Sequence, residues 1–240
     1  MSIGPKVTGL ILSGGKGTRM AGLDKGLVSF LGRPLISHVI DRIKPQVDQL
    51  WINCNRSHDE YLKLGCPLLS DAEADYQGPL EGMLSIASQL NKHSPVHLKT
   101  GIDEYCLVVP CDMPFLPVDL VERLHDALAS HAAGYACTIH QVQPLVLLMR
   151  PHLLKTIPEY LQQGGRSVMG WLRSIDAIPV SFTPERGLAD TGRVESKTGY
   201  DEAMDVPVGD NKLSMADGLR RNDFDNINDL ASLSFLEKAF

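Results

Sequence analysis

The sequence predicts an α/β protein with a mostly parallel sheet that helices cover on both faces. Short apolar segments rich in β-branched residues alternate with segments whose apolar residues recur at helical spacing. Parallel strands need crossover connections, which are right-handed and place the helices on the faces of the sheet. The most apolar of the short segments, YCLVVP at 105–110, is expected to be a central strand.

Glycine and proline mark the ends of the predicted elements in the first half of the chain. Pro34 stands in the first turn of one helix, and Gly65 ends the next. The predicted strands are VTGLILS (7–13), LWINCN (50–55), PLLSD (67–71) and YCLVVP (105–110); the helices are PLISHVIDRIKPQV (34–47), HDEYLKLG (58–65), GPLEGMLSIASQLNK (78–92) and PVDLVERLHDALASH (117–131). Ligands of such sheets bind beyond the carboxyl ends of the strands.

The second half continues the pattern with a polar interruption. YACTIHQVQ and PLVLLMR (135–150) are expected to form a strand pair near one edge of the sheet, and AIPVSF (177–182) a last strand. Three more helices are predicted, at 152–165, 167–175 and 228–240. The polar, Gly-rich stretch at about 185–222 has little periodicity, so we expect a single domain spanning 1–240 with an insertion there.

Composition excludes several classes of protein. The chain has 240 residues, of which 43% are hydrophobic, and this is enough for a sizeable core. A net charge of −6 argues against a nucleic-acid binder, and no apolar run is long enough to span a membrane. The five cysteines form no C-x-x-C pair and are expected to be reduced thiols in a cytoplasmic protein.

The loop after the first strand has the composition of a phosphate-binding loop. In LILSGGKGTRMAGLDKG (10–26), Gly14 and Gly15 would let backbone N–H groups approach phosphate oxygens. Arg19 adds a planar guanidinium group, and Lys25 adds the point charge of an ammonium group. The loop is neither a Walker A motif nor a dinucleotide fingerprint. These residues suit a triphosphate whose leaving group is diphosphate, although the glycines alone could equally form a tight turn.

Asp112 follows the predicted central strand, in VVPCDMPFLP (108–117). A single carboxylate at a strand end suits Mg²⁺, which prefers one or two carboxylates together with substrate phosphates. The alternative is a helix cap, but the next helix is predicted to start at about Pro117, which is too far away for that role.

Polar residues also end the neighbouring predicted strands. Asn53 could bond a ribose or base, and the carboxylate of Asp71 could accept the two N–H donors of guanine. Asn and Asp are common turn residues as well, so each alone is weak evidence. The GPLEG turn (78–82) opens a helix, where N–H groups could meet a phosphate or a ribose hydroxyl.

Taken together, these segments resemble the molybdenum cofactor guanylyltransferases. That family carries a Leu-x-Gly-Gly-x-x-x-Arg-Met-Gly-Gly-x-Asp-Lys loop, which here runs from Leu12 to Lys25 with Ala21 in place of one glycine. The other similar motifs are N-x-N-R at 53–56, the strand-end Asp71, G-P-L-x-G at 78–82, P-C-D-x-P-F-L-P at 110–117, G-R-S-V-M-x-W-L at 165–172 and F-x-N-I-N at 224–228.

The resemblance implies a Rossmann-like three-layer α/β/α sandwich of the nucleotide-diphospho-sugar transferase type. It also implies Mg²⁺-dependent transfer of GMP from GTP to the terminal phosphate of Mo-molybdopterin, giving Mo-molybdopterin guanine dinucleotide and diphosphate. Arg19, Lys25 and Asp112 would be catalytic, with Asp112 also the metal ligand. The implied or candidate GTP-binding residues are Leu12, Ser13, Gly14, Gly15, Lys25, Asn53, Asp71, Gly78, Gly82 and Asp112, and the implied pterin-side residues are Asn226 and Asn228.

Three other functions remain open from the sequence. One is a cytidylyl- or sugar-nucleotidyltransferase on the same fold, and another is a non-catalytic nucleotide-binding chaperone that hands the cofactor on. The third is an interaction protein that uses 185–222. Molybdopterin-handling proteins and molybdoenzyme chaperones are candidate partners, whereas nucleic acid and membranes are not expected. QPLVLLMR (143–150) departs from the family's usual His-Pro-Leu start, which leaves pterin contacts there open.

Overall fold

A seven-stranded sheet organises the part of the chain that the computed structural model describes, residues 5–14, 23–71, 78–90, 103–138 and 141–182. All of these residues belong to one unit. The predicted insertion at about 185–222 and the predicted helix at 228–240 lie outside the described residues. The single-domain organisation with an insertion therefore stays a prediction.

The sheet is mostly parallel and has the predicted strand in its centre. Its order is β5-β4-β1-β6-β8-β7-β9, and only β8 runs antiparallel to its neighbours. The strands are β1 Lys6–Leu12, β4 Gln49–Asn53, β5 Leu68–Leu69, β6 Glu104–Pro110, β7 Ala133–Cys137, β8 Val142–Met149 and β9 Ile178–Ser181. β6 is the fourth of seven strands, and β7 and β8 pair near one edge, as the sequence predicted.

Helices connect most of these strands, whereas β7 and β8 follow one another in the element order. The described α-helices are α1 Leu35–Ile43, α2 His58–Leu62, α3 Pro79–Leu84, α4 Leu120–Leu128, α5 Ile157–Gln162 and α6 Val168–Ser174, and 3₁₀ turns span Lys25–Leu27, Lys44–Gln46 and Pro151–Thr156. No helix among the described residues is both long and apolar enough to cross a membrane.

Alternating side chains along the strands divide the core between the two faces of the sheet. In β1, Val7 and Ile11 join the core with α1, α2 and α4, whereas Leu10 joins the core with α3, α5 and α6. Successive residues of a strand point to opposite faces, so one strand supplies both cores. The arrangement is the predicted three-layer sandwich with helices on both faces.

The structure corrects the prediction of one continuous helix over 78–92. α3 ends at Leu84, residues 85–86 form a turn, and helical backbone resumes at 87–90. Ser85 explains the interruption, because its hydroxyl donates a 2.6 Å hydrogen bond to the carbonyl of Gly82. Such side-chain bonds to the preceding turn compete with the helix and bend it.

The sequence also missed a small hairpin. β2 (Ser29–Phe30) and β3 (Arg33–Pro34) pair through a turn at Leu31 and Gly32, whose φ angles are 50° and 75°. A two-residue hairpin turn of type I′ has positive φ at both central positions, and Asn-Gly is its usual signal. Leucine rarely adopts that conformation, so the pattern gave no indication of a turn.

A leucine in the central strand provides a test of the core. Leu107 of β6 is fully buried, and its replacement in Leu107→Ala is expected to lower the free energy of unfolding by about 2–5 kcal/mol through lost burial and a cavity. Leu62→Ala is the matched control, because Leu62 is 58% exposed. Its effect should stay within about 0.5 kcal/mol. Urea denaturation measures both, and equal effects would contradict the assigned core.

Candidate active site

Three neighbouring strand ends form the site. β1 pairs in parallel with both β4 and β6, and Leu12 lies in register with Asn53 on one side and Pro110 on the other. The residues after these strands therefore meet at one edge of the sheet, called here the carboxyl edge. A cavity of about 320 Å³ opens there, lined by Leu12, Ser13, Gly14, Lys25, Asn53, Asp71, Gly78, Pro79, Gly82, Pro110, Cys111, Asp112 and Leu145.

Strand alternation continues past the end of β6 and aims Asp112 at this cavity. Cys111 and Met113, its neighbours in the chain, are both buried in the core with α1, α2 and α4. The backbone N–H of Cys111 donates to the carbonyl of Leu12 at 3.1 Å, which ties this turn to β1. Because both flanking side chains are anchored in that core, the carboxylate between them has a fixed direction.

Lys25 pairs with Asp112 across the carboxyl edge. The Lys25 Nζ donates to Asp112 Oδ2, and both side chains are largely buried and line the cavity. The two residues are 87 positions apart in the sequence. The contact brings together two of the three predicted catalytic groups, one cationic and one anionic.

The second oxygen of Asp112 suits a divalent cation. Asp112 Oδ1 is buried and has no hydrogen-bond partner within the described residues. A buried carboxylate oxygen without a partner is costly, and a cation would satisfy it. The described residues contain no cluster of three or more His, Cys, Asp and Glu side chains that could hold a metal alone. One carboxylate is nevertheless enough for Mg²⁺ when substrate phosphates and water complete its shell.

Asp71 is held by two asparagines at the carboxyl end of β4, Asn53 within the strand and Asn55 just after it. Asn53 Nδ2 donates to Asp71 Oδ1 at 2.9 Å, and Asn55 Nδ2 donates to Asp71 Oδ2 at 2.7 Å. Asn55 Oδ1 also accepts from the Asp71 backbone N–H at 2.9 Å. Asn53, which the sequence assigned to the nucleotide, thus directs its amide nitrogen to Asp71 and, at 3.2 Å, to Ser85 Oγ. Both asparagines fix the orientation of the Asp71 carboxylate.

Two glycines, one after β1 and one in α3, allow the strand ends and this helix to pack closely. A Cβ at Gly14 would lie 2.9 Å from Asn55 Nδ2, and a Cβ at Gly82 would lie 2.9 Å from both Asn53 Oδ1 and a methyl carbon of Leu12. Side chains at these positions would push the asparagines away from Asp71. The glycines therefore line the cavity and also have a packing role, which sequence reasoning did not foresee.

A second polar cluster lies on the opposite face of the sheet. Tyr61 of α2 hydrogen-bonds to Ser13 Oγ at 2.5 Å and donates to Asp24 Oδ1 at 2.5 Å. Asp24 Oδ2 lies 3.4 Å from Arg56 Nε, and Arg56 donates to the carbonyl of Leu23 at 3.0 Å. This cluster surrounds the chain segment that carries Lys25.

Buried thiols at the site stay protonated at neutral pH. Burial, with the nearby Asp112 carboxylate second, raises the pKa of Cys111 to about 12. Burial also raises the pKa of Cys54, which follows β4, to about 11. Thiolates are the nucleophilic form of cysteine. Neither side chain is therefore suited to nucleophilic catalysis.

The structure brings together most of the predicted site residues. Those that line the cavity are Leu12, Ser13, Gly14, Lys25, Asn53, Asp71, Gly78, Gly82 and Asp112. Gly15, Arg19, Asn226 and Asn228 lie outside the described residues, so their roles stay predictions. Sequence reasoning did not assign a site role to Pro79, Pro110, Cys111, Leu145, Asn55, Ser85 or Tyr61. Asn55 was visible in the N-x-N-R motif, whereas Tyr61 gave no signal in its short helix.

The comparisons with known proteins agree with this geometry. Residues 9–177 match the family described as MobA-like NTP transferase domain. The molybdenum cofactor guanylyltransferase of Shewanella loihica is 37% identical over 203 residues, which cover 83% of this chain and 98% of that protein. The Haemophilus influenzae protein of the same name is 37% identical over 183 residues, covering 75% and 90%.

Solved structures share the fold. Molybdopterin-guanine dinucleotide biosynthesis protein A from Archaeoglobus fulgidus superposes with a TM-score of 0.55 at 20% identity, covering 72% of this chain and 83% of that one. A CMP:2-keto-3-deoxy-manno-octonic acid synthetase solved with CTP superposes with a TM-score of 0.52 at 13% identity, covering 76% and 91%. The predicted nucleotide-diphospho-sugar transferase type of fold is confirmed. By its sequence relatives, the chain belongs to the molybdenum cofactor guanylyltransferase family and is a nucleotidyltransferase.

Proposed function

We propose that this chain transfers GMP from GTP to the terminal phosphate of Mo-molybdopterin, in a reaction that needs Mg²⁺ and releases diphosphate. The observation that carries the proposal is the meeting of Lys25 and Asp112 in one cavity beyond three parallel strands. A cation and a metal-binding carboxylate at that position suit the triphosphate, and Asp71 in the same cavity suits the guanine base. The names of the curated relatives support the same reaction.

The charge balance of the cavity supports a role for Mg²⁺. Its described lining contains one ammonium, that of Lys25, and two carboxylates, those of Asp71 and Asp112. A triphosphate would be repelled by this lining unless further positive charge were added. Asp112 Oδ1 would hold Mg²⁺, and Arg19, which lies outside the described residues, would add its guanidinium. When bound, Mg²⁺ neutralises phosphate charge and orients the phosphates for in-line displacement.

The reaction needs no strong general base. A terminal phosphate oxygen of the acceptor is already anionic, and it forms a bond to the α-phosphorus of GTP while the bond to the β-phosphate oxygen breaks. Lys25 would screen the repulsion between the two anions and stabilise the charge that develops on the departing diphosphate. Asp112 would keep the Lys25 ammonium aimed at the phosphates.

Asp71 would recognise guanine through acceptor capacity that its asparagine partners leave free. An ionised carboxylate offers about four acceptor positions, and Asn53 and Asn55 use one on each oxygen. The ring N1–H and the 2-amino group of guanine are adjacent donors that match the remaining positions. Adenine lacks this pair of donors.

The remaining proposals concern the acceptor and its handling. Asn226 and Asn228 would contact the pterin, and molybdopterin-handling proteins or molybdoenzyme chaperones would receive the product. Such a reaction, which uses GTP and would occur alongside reduced thiols, is expected in the cytoplasm.

A nucleotide panel tests the reaction. With molybdopterin as acceptor and Mg²⁺ present, diphosphate release should be fastest with GTP, because only guanine offers both donors to Asp71. CTP, ATP and UTP serve as the other members of the panel. Preference for CTP would support the cytidylyltransferase alternative, and GTP binding without diphosphate release would support the chaperone alternative.

Replacing the proposed metal ligand should abolish most of the activity. Asp112→Asn keeps the size of the side chain but removes its charge, so kcat should fall by at least about 100-fold while the unfolding midpoint changes little. The control is Asp41→Asn, which alters an exposed carboxylate paired with Arg33. Diphosphate release at saturating GTP measures both, and Asp112→Asn with normal Mg²⁺-dependent activity would remove Asp112 from the metal role.

Inosine triphosphate (ITP) tests base recognition at Asp71, because inosine differs from guanosine only in lacking the 2-amino group of the base. The wild type should prefer GTP over ITP by about 10-fold or more, the value of one hydrogen bond to a charged group. Asp71→Asn removes the charged carboxylate, so the ratio of kcat/KM for GTP to that for ITP should fall towards one. Steady-state kcat/KM for the two nucleotides provides the ratio, and an unchanged ratio in the variant would argue that Asp71 does not read the base.

A further inference from the structure

We propose that Tyr61 is a positioning residue for this nucleotidyl transfer: from the face of the sheet opposite the cavity, its hydroxyl holds Asp24 and thereby fixes the neighbouring Lys25 against Asp112. The inference rests on the proposed function, in which Lys25 acts on the phosphates. Tyr61 itself does not line the cavity, so it acts through other residues.

Tyr61 lies where a rigid anchor is possible. It is on α2, is fully buried and belongs to the core with α1 and α4. Neighbouring core side chains restrict its ring, so its hydroxyl has one position relative to the sheet. A solvent-exposed loop side chain could not hold a hydroxyl in such a fixed position.

The hydroxyl joins both ends of the glycine-rich loop. Tyr61 donates its single proton to Asp24 Oδ1, so the hydrogen bond with Ser13 is donated by the serine. Ser13 follows β1 directly, and Asp24 directly precedes Lys25. Burial raises the pKa of Tyr61 far above its usual range, and the hydrogen bond to Asp24 acts in the same direction. The hydroxyl therefore remains a donor at any working pH.

Gly26 shows how closely the Lys25 segment is packed against this anchor. A Cβ at Gly26 would lie 2.5 Å from Ser13 Oγ and 2.6 Å from the Tyr61 hydroxyl oxygen, which leaves no room for a side chain. The two residues that flank Lys25 thus both contact the Tyr61 cluster, Asp24 by a hydrogen bond and Gly26 by close packing. The backbone of Lys25 is held from one face, and its ammonium reaches Asp112 at the carboxyl edge.

Tyr61→Phe tests the inference because it removes only the hydroxyl. Displacement of a catalytic group by about 1 Å can cost about 100-fold in rate, so we expect kcat to fall by about 10- to 100-fold, with a smaller change in the KM for GTP. Tyr160→Phe is the matched control, since the Tyr160 hydroxyl donates a 3.1 Å hydrogen bond to the carbonyl of Ser167, and neither residue lines the cavity. Both variants should lose some stability in urea, but only Tyr61→Phe should lose activity.

A second readout follows Lys25 without using activity. Reductive methylation with ¹³C-formaldehyde labels lysine amines, and the Lys25 resonance is identified by its absence from Lys25→Arg. The chemical shift of that resonance should change in Tyr61→Phe and should equal the wild-type value in Tyr160→Phe. An unmoved Lys25 resonance, or a Tyr61→Phe enzyme with wild-type kcat, would overturn the inference. If the wild type itself transferred no GMP, the proposed function would fail, and the Lys25 resonance would still decide the role of Tyr61.

Discussion

The contact between Lys25 and Asp112 is the interaction on which the rest of the site depends. It joins two segments 87 residues apart, and it exists because β1 and β6 are parallel neighbours whose carboxyl ends meet. Asp112 is fixed by its buried neighbours Cys111 and Met113, so the position of Lys25 decides whether the pair forms. One oxygen of the carboxylate binds the ammonium, and the other is buried with no hydrogen-bond partner in the part of the chain that the structure describes, so Asp112 can hold a cation and a metal side by side.

Strand alternation divides the carboxyl edge into two faces with different tasks. Ser13 points to the face of the sheet covered by α2, where it contacts Tyr61. Gly14, the next residue, points to the face covered by α3, where it lies against Asn53 and Asn55. The cavity with Asp71 lies on the face covered by α3. The hydrogen bond from Tyr61 to Asp24, which holds the segment that carries Lys25, lies on the face covered by α2. Conformational freedom is thereby removed from the reacting groups before any substrate binds, which is the physical content of preorganisation.

The sequence predicted what depends on local pattern and on the rules of parallel sheets. β6 could be placed at the centre because its side chains are apolar on both faces, and Asp112 and Asp71 could be placed at one edge because ligands bind at the carboxyl ends of strands. The Leu31–Gly32 turn and the break in the helix at Ser85 could not be predicted from the sequence. A leucine with positive φ and a side-chain hydrogen bond leave no periodic pattern in the sequence. Tyr61 was missed for a related reason: only the tertiary fold brings its hydroxyl to Asp24.

The most direct test of the central claim is a crystal structure with Mn²⁺ and a GTP analogue that cannot be cleaved between its α- and β-phosphates. Mn²⁺ can replace Mg²⁺ at oxygen ligands and can be located by its anomalous signal. We predict a manganese peak within coordination distance of Asp112 Oδ1, with the phosphates bridging it to Lys25 and the guanine at Asp71. Nucleotide and metal bound together at any other place on the molecule would contradict the account.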